Sequence, residues 1–252
     1  MLESPFRRSV TEFAAFYYNY AARNNFPAVI NFKDYSMQAD SGSRDYERAL
    51  PPGIEAKHWQ TDTPISNLSW GYMQQDQLKS ADFLIHQLVD IVSKNGNLLL
   101  NIGPRPDGTI PDDVRATLLE MGAWLNKDGE AIYGTHPWKV FGEGPTQIQT
   151  GFGHDADTKP YTASDFRFTA KGDYVYAISM ACPADGTASI HSLGTGPQGM
   201  GYQTFNLSLV GSADKVDWVQ GDSELDIKLP KSYECKHGFA LRVRIPGVPI
   251  NQ

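Results

Sequence analysis

Lys94-Asn95-Gly96-Asn97-Leu98-Leu99-Leu100-Asn101-Ile102-Gly103-Pro104-Arg105-Pro106-Asp107-Gly108-Thr109-Ile110-Pro111 decides the fold of this chain. Asn95-Gly96 is a helix-stop signal. The near-continuous apolar run from Asn97 to Ile102 reads as a strand buried on both faces of a parallel sheet. The Gly/Pro-rich stretch behind it reads as a turn at the end of that strand. Upstream, Ser80 is an N-cap for a helix whose Leu84, Ile85, Leu88, Ile91 and Val92 form one apolar stripe. Downstream, Pro111 opens a second helix with Asp112 and Asp113 in its first turn, where the helix dipole favours acids. Val114, Leu118, Leu119, Gly122 and Leu125 line its inner face, and Asp128-Gly129 ends it. Helix, parallel strand and helix in succession are the material of βα repeats.

Further upstream, Ser9-Val10-Thr11-Glu12 has the form of a capping box, with Phe13, Phe16, Tyr17 and Tyr20 behind it at helical spacing. Ala28 to Phe32 reads as a short buried strand. A long segment without periodicity follows, rich in Asp, Ser, Gly and Pro, before a strand expected from about Asn67 to Tyr72. Such a connection is usually functional or disordered, and here it falls where a barrel carries its active-site loops. After Trp138 the period changes. Phe166 to Ile178 alternates around Lys171-Gly172-Asp173, a hairpin signal. Short strands are expected over 203–210, 215–219, 225–229 and 239–245. The fold class is therefore α/β plus all-β: a partial (β/α)8 TIM-type barrel over 1–137, then an antiparallel β-sandwich over 138–252.

The chain has 252 residues, 40% of them hydrophobic and 20% charged, which is a soluble, globular composition. Its net charge of −7 and lack of a basic cluster argue against nucleic acid and anionic membrane surfaces as partners. No apolar export segment opens the sequence, so as written it reads as soluble and cytoplasmic. Asn67-Leu68-Ser69 and Asn206-Leu207-Ser208 fit the N-glycosylation pattern and, without an export signal, read as chance matches. Cys182 and Cys235 are either two buried thiols, the commoner fate of such cysteines, or one bridge. No metal-ligand spacing or phosphate loop occurs, and no cofactor is expected.

With Trp59-Gln60-Thr61-Asp62-Thr63, Ser69-Trp70-Gly71-Tyr72, Gly129-Glu130-Ala131-Ile132-Tyr133 and Gly142-Glu143-Gly144-Pro145-Thr146, the opening stretch resembles the α-L-fucosidases of glycoside hydrolase family 29. The resemblance implies a barrel followed by a β-sandwich, and release of terminal α-linked L-fucose by a retaining mechanism that uses two carboxyl groups. It also implies that the chain is N-terminally truncated. The family's Trp-Asp nucleophile, and the histidines and glutamate that grip fucose, have no counterpart here. Asp45-Tyr46-Glu47-Arg48-Ala49 looks like the family's Asp-x-Glu-Arg-Gly motif, with Ala49 in place of glycine. This assigns general acid/base work to Glu47, with Glu55, Asp62 and Asp34 as alternatives, and with Asp34 and then Glu55 as candidate substitutes for the missing nucleophile. Trp59, Trp70, Tyr72 and Arg44 are the candidate substrate-binding residues. A half-barrel would expose strand edges and apolar helix faces. Weak or assembly-dependent activity is expected, with a homo-oligomer or a separate N-terminal fragment completing the barrel. The partner that turns over is a fucosylated oligosaccharide or glycoside. The rival reading is a non-catalytic carbohydrate-binding remnant.

Overall fold

The computed structural model describes residues 5–33, 36–38, 40–150, 153, 155 and 159–247. Helix α1 (Pro5–Arg23) begins a turn earlier than the Ser9 capping box suggests, with Pro5 at its start. It buries Ala14 and Ala21, while Phe13, Phe16 and Tyr20 point to solvent. These aromatics pair with one another and their neighbours, Phe16 with Tyr20 at 6.3 Å and Phe13 with Tyr17 at 6.2 Å. The Tyr18 hydroxyl fastens α1 to the sheet: it donates to the Ser41 carbonyl (2.7 Å) and accepts from the Ile30 amide (3.2 Å).

Four parallel strands follow in chain order: β1 (Asn31–Lys33), β2 (Ser43–Asp45), β3 (Trp59–Pro64) and β4 (Gly96–Asn101). The strand expected from Asn67 to Tyr72 does not form. That stretch is a turn, because the Ser66 hydroxyl accepts from the Leu68 and Ser69 amides and withdraws them from any ladder. The strand that pairs with β4 is instead β3, inside the segment that shows no periodicity. Helix α2 (Ala81–Ser93) starts as expected, with the Ser80 hydroxyl accepting from the Phe83 amide, and buries Leu84, Ile85, Val89 and Ile91. Helix α3 (Asp112–Asp128) packs beside it through Val114, Met121 and Trp124. Both lie on one face of the sheet, covering Leu98 and Leu100 of β4. The other face of β4 is not buried as expected: Leu99 is 53% exposed. On that side of β4, which would face the inside of a closed barrel, Asn97 is exposed as well.

The C-terminal half is a two-sheet sandwich. One sheet has the order β5-β6-β7-β12-β9, built from β5 (His136–Glu143), β6 (Phe166–Lys171), β7 (Tyr174–Ser179), β12 (Ala240–Arg244) and β9 (Asn206–Leu209). The other runs β10-β11-β8, from β10 (Asp217–Gln220), β11 (Leu225–Lys228) and β8 (Thr187–Ile190). The β6–β7 hairpin turns through Gly172 at φ 57° and Asp173, as the sequence predicts. Trp138, Phe166, Phe168, Phe239, Leu241 and Val243 fill the core between the sheets. Cys182 and Cys235 form a disulfide that ties the segment after β7 to the one before β12. Of the two fates open to these cysteines, the bridge is the one realised.

The outer face of the larger sheet docks on the helices. Tyr176, Ile178, Met180 and Ala240 share a cluster with Leu84, Ile85, Val89 and Trp124. Beside it a buried ion network joins the two halves. Asp90 of α2 takes the Arg167 Nε at 2.5 Å and the Lys94 Nζ at 2.8 Å. Arg167 also lies 5.2 Å from the Tyr161 ring centre. A buried ion network of this kind fixes relative orientation.

Candidate active site at the strand ends

Strand register sorts the functional side chains by face. Lys33 is level with Asp45, and Asp45 with Gln60, so these three share the uncovered face. Asp62 and Glu47 lie two residues beyond Gln60 and Asp45 and join them. The Lys33 ammonium sits at the centre: 2.7 Å from Asp62 Oδ2, 2.9 Å from Glu47 Oε2 and 4.0 Å from Asp45 Oδ1. The Gln60 amide donates to Asp45 Oδ2 at 2.5 Å and accepts from Asn31 Nδ2 at 3.1 Å. Three carboxyl groups and one cation thus meet at the C-terminal ends of consecutive parallel strands, the end at which βα barrels carry their chemistry.

The three acids are not equivalent. Asp45 is 4% exposed and its Oδ1 has no hydrogen-bond partner. Burial pushes its carboxyl up, and the neighbouring Asp62 charge adds to the effect. The Gln60 amide and Lys33 oppose it, leaving Asp45 at about 6. Burial works against the Lys33 ammonium, but its bonds to Asp62 and Glu47 outweigh it and lift Lys33 to about 12. The cluster therefore holds one carboxyl that titrates near neutrality beside a permanently charged lysine. Glu47, in contrast, is an open ion pair with a side chain 41% exposed. Lys33 occupies the position between the acids where a cation would sit, and among the described residues no His/Cys/Asp/Glu group is arranged to hold a metal.

Several residues singled out in the sequence lie elsewhere. Trp59 is 1% exposed and faces the helices, its indole N–H donating to the Lys94 carbonyl at 2.8 Å. It is a core tryptophan, not a sugar platform. Arg44 is level with Trp59 and so projects to that same side, stacking on Tyr46 at 4.4 Å. Glu55 shares an outer groove with Arg44, Tyr46 and Trp59, across the sheet from Asp45. Trp70 and Tyr72 are partly exposed but belong to the Ser66 turn rather than to a strand end. Tyr72 lines a small cleft with Ser69, Asn101 and Arg105. The backbone of Gly71 and Tyr72 presses so closely on Gly103 that a Cβ there would come within 2.8 Å. Asp34 lies outside the described residues. Sequence reading missed Asp45, Asp62 and Lys33 as a unit. The signal was available only through parity: Asp45 and Glu47 share a face, as do Gln60 and Asp62.

A family model described as α-L-fucosidase matches residues 6–130, and one described as the α-L-fucosidase C-terminal domain matches residues 159–244. Human tissue α-L-fucosidase is 32% identical over 208 residues, covering 80% of this chain and 40% of that protein. The α-L-fucosidase of Branchiostoma floridae is 31% identical over 204 residues, with 78% and 40% covered. Among solved structures, the Thermotoga maritima α-fucosidase in complex with fucose superposes with a TM-score of 0.71 at 26% identity. That match covers 94% of this chain and 49% of the other. The chain thus spans less than half the length of the curated relatives it matches.

Proposed function

We propose, from the premise that this chain belongs to the α-L-fucosidase family, that it supplies the proton-transfer half of a fucoside-cleaving site. One observation carries this reading: Asp45, buried at about 6 beside Asp62, Glu47 and Lys33, at the open end of parallel strands. A glycosidase acid must hold a proton near neutral pH and release it to the leaving oxygen. Asp45 meets that demand. Burial and the neighbouring Asp62 keep the Asp45 proton in place, and the Lys33 ammonium bonds to both Asp62 and Glu47. The sequence motif puts the proton on Glu47; the geometry favours Asp45, with Glu47 as the lysine's exposed anchor. In a retaining reaction Asp45 would protonate the glycosidic oxygen and then, as the carboxylate, take a proton from the water that releases the sugar.

Such a reaction needs a second carboxyl about 5–5.5 Å from the first. Asp62 is committed, with Glu47, to the Lys33 ammonium. Glu55 is across the sheet. Asp34, next to Lys33 in sequence, remains the candidate within the chain. The uncovered sheet face and the partial span against relatives support a second source, the preceding half of a barrel carried by another polypeptide segment. The substrate proposed is a terminal α-linked fucoside, and turnover by this chain alone is weak. The disulfide favours an oxidising compartment over the cytoplasmic one.

The test is hydrolysis of an aryl α-L-fucoside by the purified chain, with and without an N-terminal barrel half. Turnover abolished by Asp45→Asn and only reduced by Glu47→Gln supports the assignment. Fucoside binding with no turnover under either condition overturns it in favour of a carbohydrate-binding remnant. Turnover lost in Asp34→Asn without added barrel half places the nucleophile inside the chain.

A further inference from the structure

The acid cluster occupies one face of the sheet, and the opposite face carries a second buried ion network. Thr63 alternates with Asp62 along β3 and so points the other way, where it is buried. There its hydroxyl donates to Oδ2 of Asp155. The Lys79 ammonium lies 3.3 Å from the same oxygen, and the Arg48 Nε–H donates to Oδ1 at 2.9 Å. Lys79 also donates to the Pro64 and Ser66 carbonyls, at 2.6 and 3.1 Å, which fastens the network to the end of β3. The Asp155 side chain is fully buried. Asp155 comes from the segment between β5 and β6, 107 residues beyond Arg48, and lies outside both family matches. Arg48 directly follows Glu47, and its φ is 48°. Glycine and asparagine take that left-handed conformation readily, whereas an arginine keeps it only where its surroundings hold it. Two contacts do so here: the side chain is fixed on Asp155, and the amide donates to the Asp62 carbonyl at 3.0 Å.

We propose that the Arg48–Asp155 pair clamps the acid cluster from the far face of the sheet, with Asp155 a positioning residue for the site described above. Asp155 fixes the guanidinium, and the guanidinium holds the left-handed turn. The turn keeps the Arg48 amide on the Asp62 carbonyl, so Glu47 and Asp45 stay gathered with Asp62 around Lys33. Loosening it would admit water to Asp45, whose proton is held chiefly by burial. The importance of the clamp for catalysis rests on the fucoside reading; its existence does not.

Two variants of the whole chain separate a clamp from a charge effect, read by carboxyl 13C NMR titration of Asp45. Asp155→Asn removes a negative charge and Arg48→Ala a positive one. Acting through the field alone, the first would lower the Asp45 midpoint and the second would raise it. Acting through the turn, both lower it, from about 6 toward 3.8. Lys33, Asp62 and Glu47, the charged groups that face Asp45, are unchanged in each. Amide exchange at residue 48 should quicken about tenfold in both variants, with Leu84 and Ile85 of α2 unmoved. Midpoints that move in opposite directions, a midpoint that neither variant moves, or exchange that quickens equally in α2 overturns the proposal. Arg48 is 25% exposed, so Arg48→Ala decides the matter if Asp155→Asn fails to fold. A lowered midpoint then supports the clamp and a raised one overturns it. Neither readout uses a substrate, so the clamp can fail while the fucoside reading stands, and absent turnover leaves the clamp intact.

Discussion

Asp45 loses its proton at a cost to the fold, and that cost has a sign. A carboxyl raised from 3.8 to about 6 binds its proton more tightly folded than unfolded. Stability contributed by the protonated form is intact below about 3.8, falls as pH rises to about 6, and stays lost above it. Asp45→Asn removes the penalty. We expect it to raise Tm by a few degrees at pH 7.5, leave it unmoved near pH 4, and lower fucosidase turnover by at least about 100-fold. Paired thermal melts and rates check both arms, and an unchanged rate would remove Asp45 from the chemistry. Donation needs the protonated form, so wild-type kcat/KM should decline above about pH 6. Glu47→Gln breaks an exposed ion pair and should cost no more than about tenfold, with Tm near wild type. The motif around Asp45 and Glu47 was legible in the sequence, but the choice between them was not. Choosing needs burial and partners across three strands, and a short strand announces neither. Trp59 shows the same gap. A tryptophan beside Gln60 and Asp62 invites a sugar-stacking reading, and only the register with Gly96 turns it toward the helices.

Elements were legible in proportion to their periodicity. Helices α2 and α3 carry apolar stripes and start signals, and both stand where the sequence puts them. Strands β1 and β2 span 3 residues each, too short to show alternation, and exist because neighbours supply their hydrogen bonds. The β6–β7 hairpin was clear because its turn needs a residue at positive φ, and Gly172 provides it. The β3–β4 pairing rests on a contact that the opening stretch contains without revealing. Gly96 lies under the Trp59 indole, and a Cβ there would come within 2.4 Å of the ring. The indole is rigid and fully buried, so it cannot step aside. Gly96→Ala should destabilise by about 2 kcal/mol, seen as a lower urea midpoint with an unchanged slope. Gly53→Ala, where no atom lies within 4 Å, is the control and should be near neutral. Equal midpoints for the two variants would mean that the barrel sheet tolerates a shifted tryptophan.

At the scale of the molecule, two features set its behaviour: one crosslink and one uncovered face. The disulfide joins cysteines 53 residues apart, and closing a loop of that length restricts the unfolded chain by about 4 kcal/mol in the loop-entropy account. Reductant should therefore lower Tm by on the order of 10 °C, and a melt indifferent to reductant would place the bridge among dispensable ones. The uncovered face concerns function directly. Strands β1 and β4 are sheet edges, Leu99 stands 53% exposed in the middle of β4, and α1 shows Phe16 at 68%. A free strand edge next to apolar surface recruits partners. On the proposed reading, the segment that would fill this face in a closed barrel is a separate barrel half, which would also bring the second carboxyl. Mixing the chain with such a half, expressed separately, should give a 1:1 species by light scattering and raise fucoside turnover at least about 100-fold, since positioning the second carboxyl is the missing contribution. Phe16→Asp, on the exposed α1 stripe, should weaken that complex without lowering the Tm of the isolated chain. A chain that instead forms a stable homodimer and turns over equally well alone would show that its own copies close the barrel. A well-behaved monomer that ignores the added half at micromolar concentration would show that neither partner does, and the fucosidase reading would lose its route to two carboxyl groups.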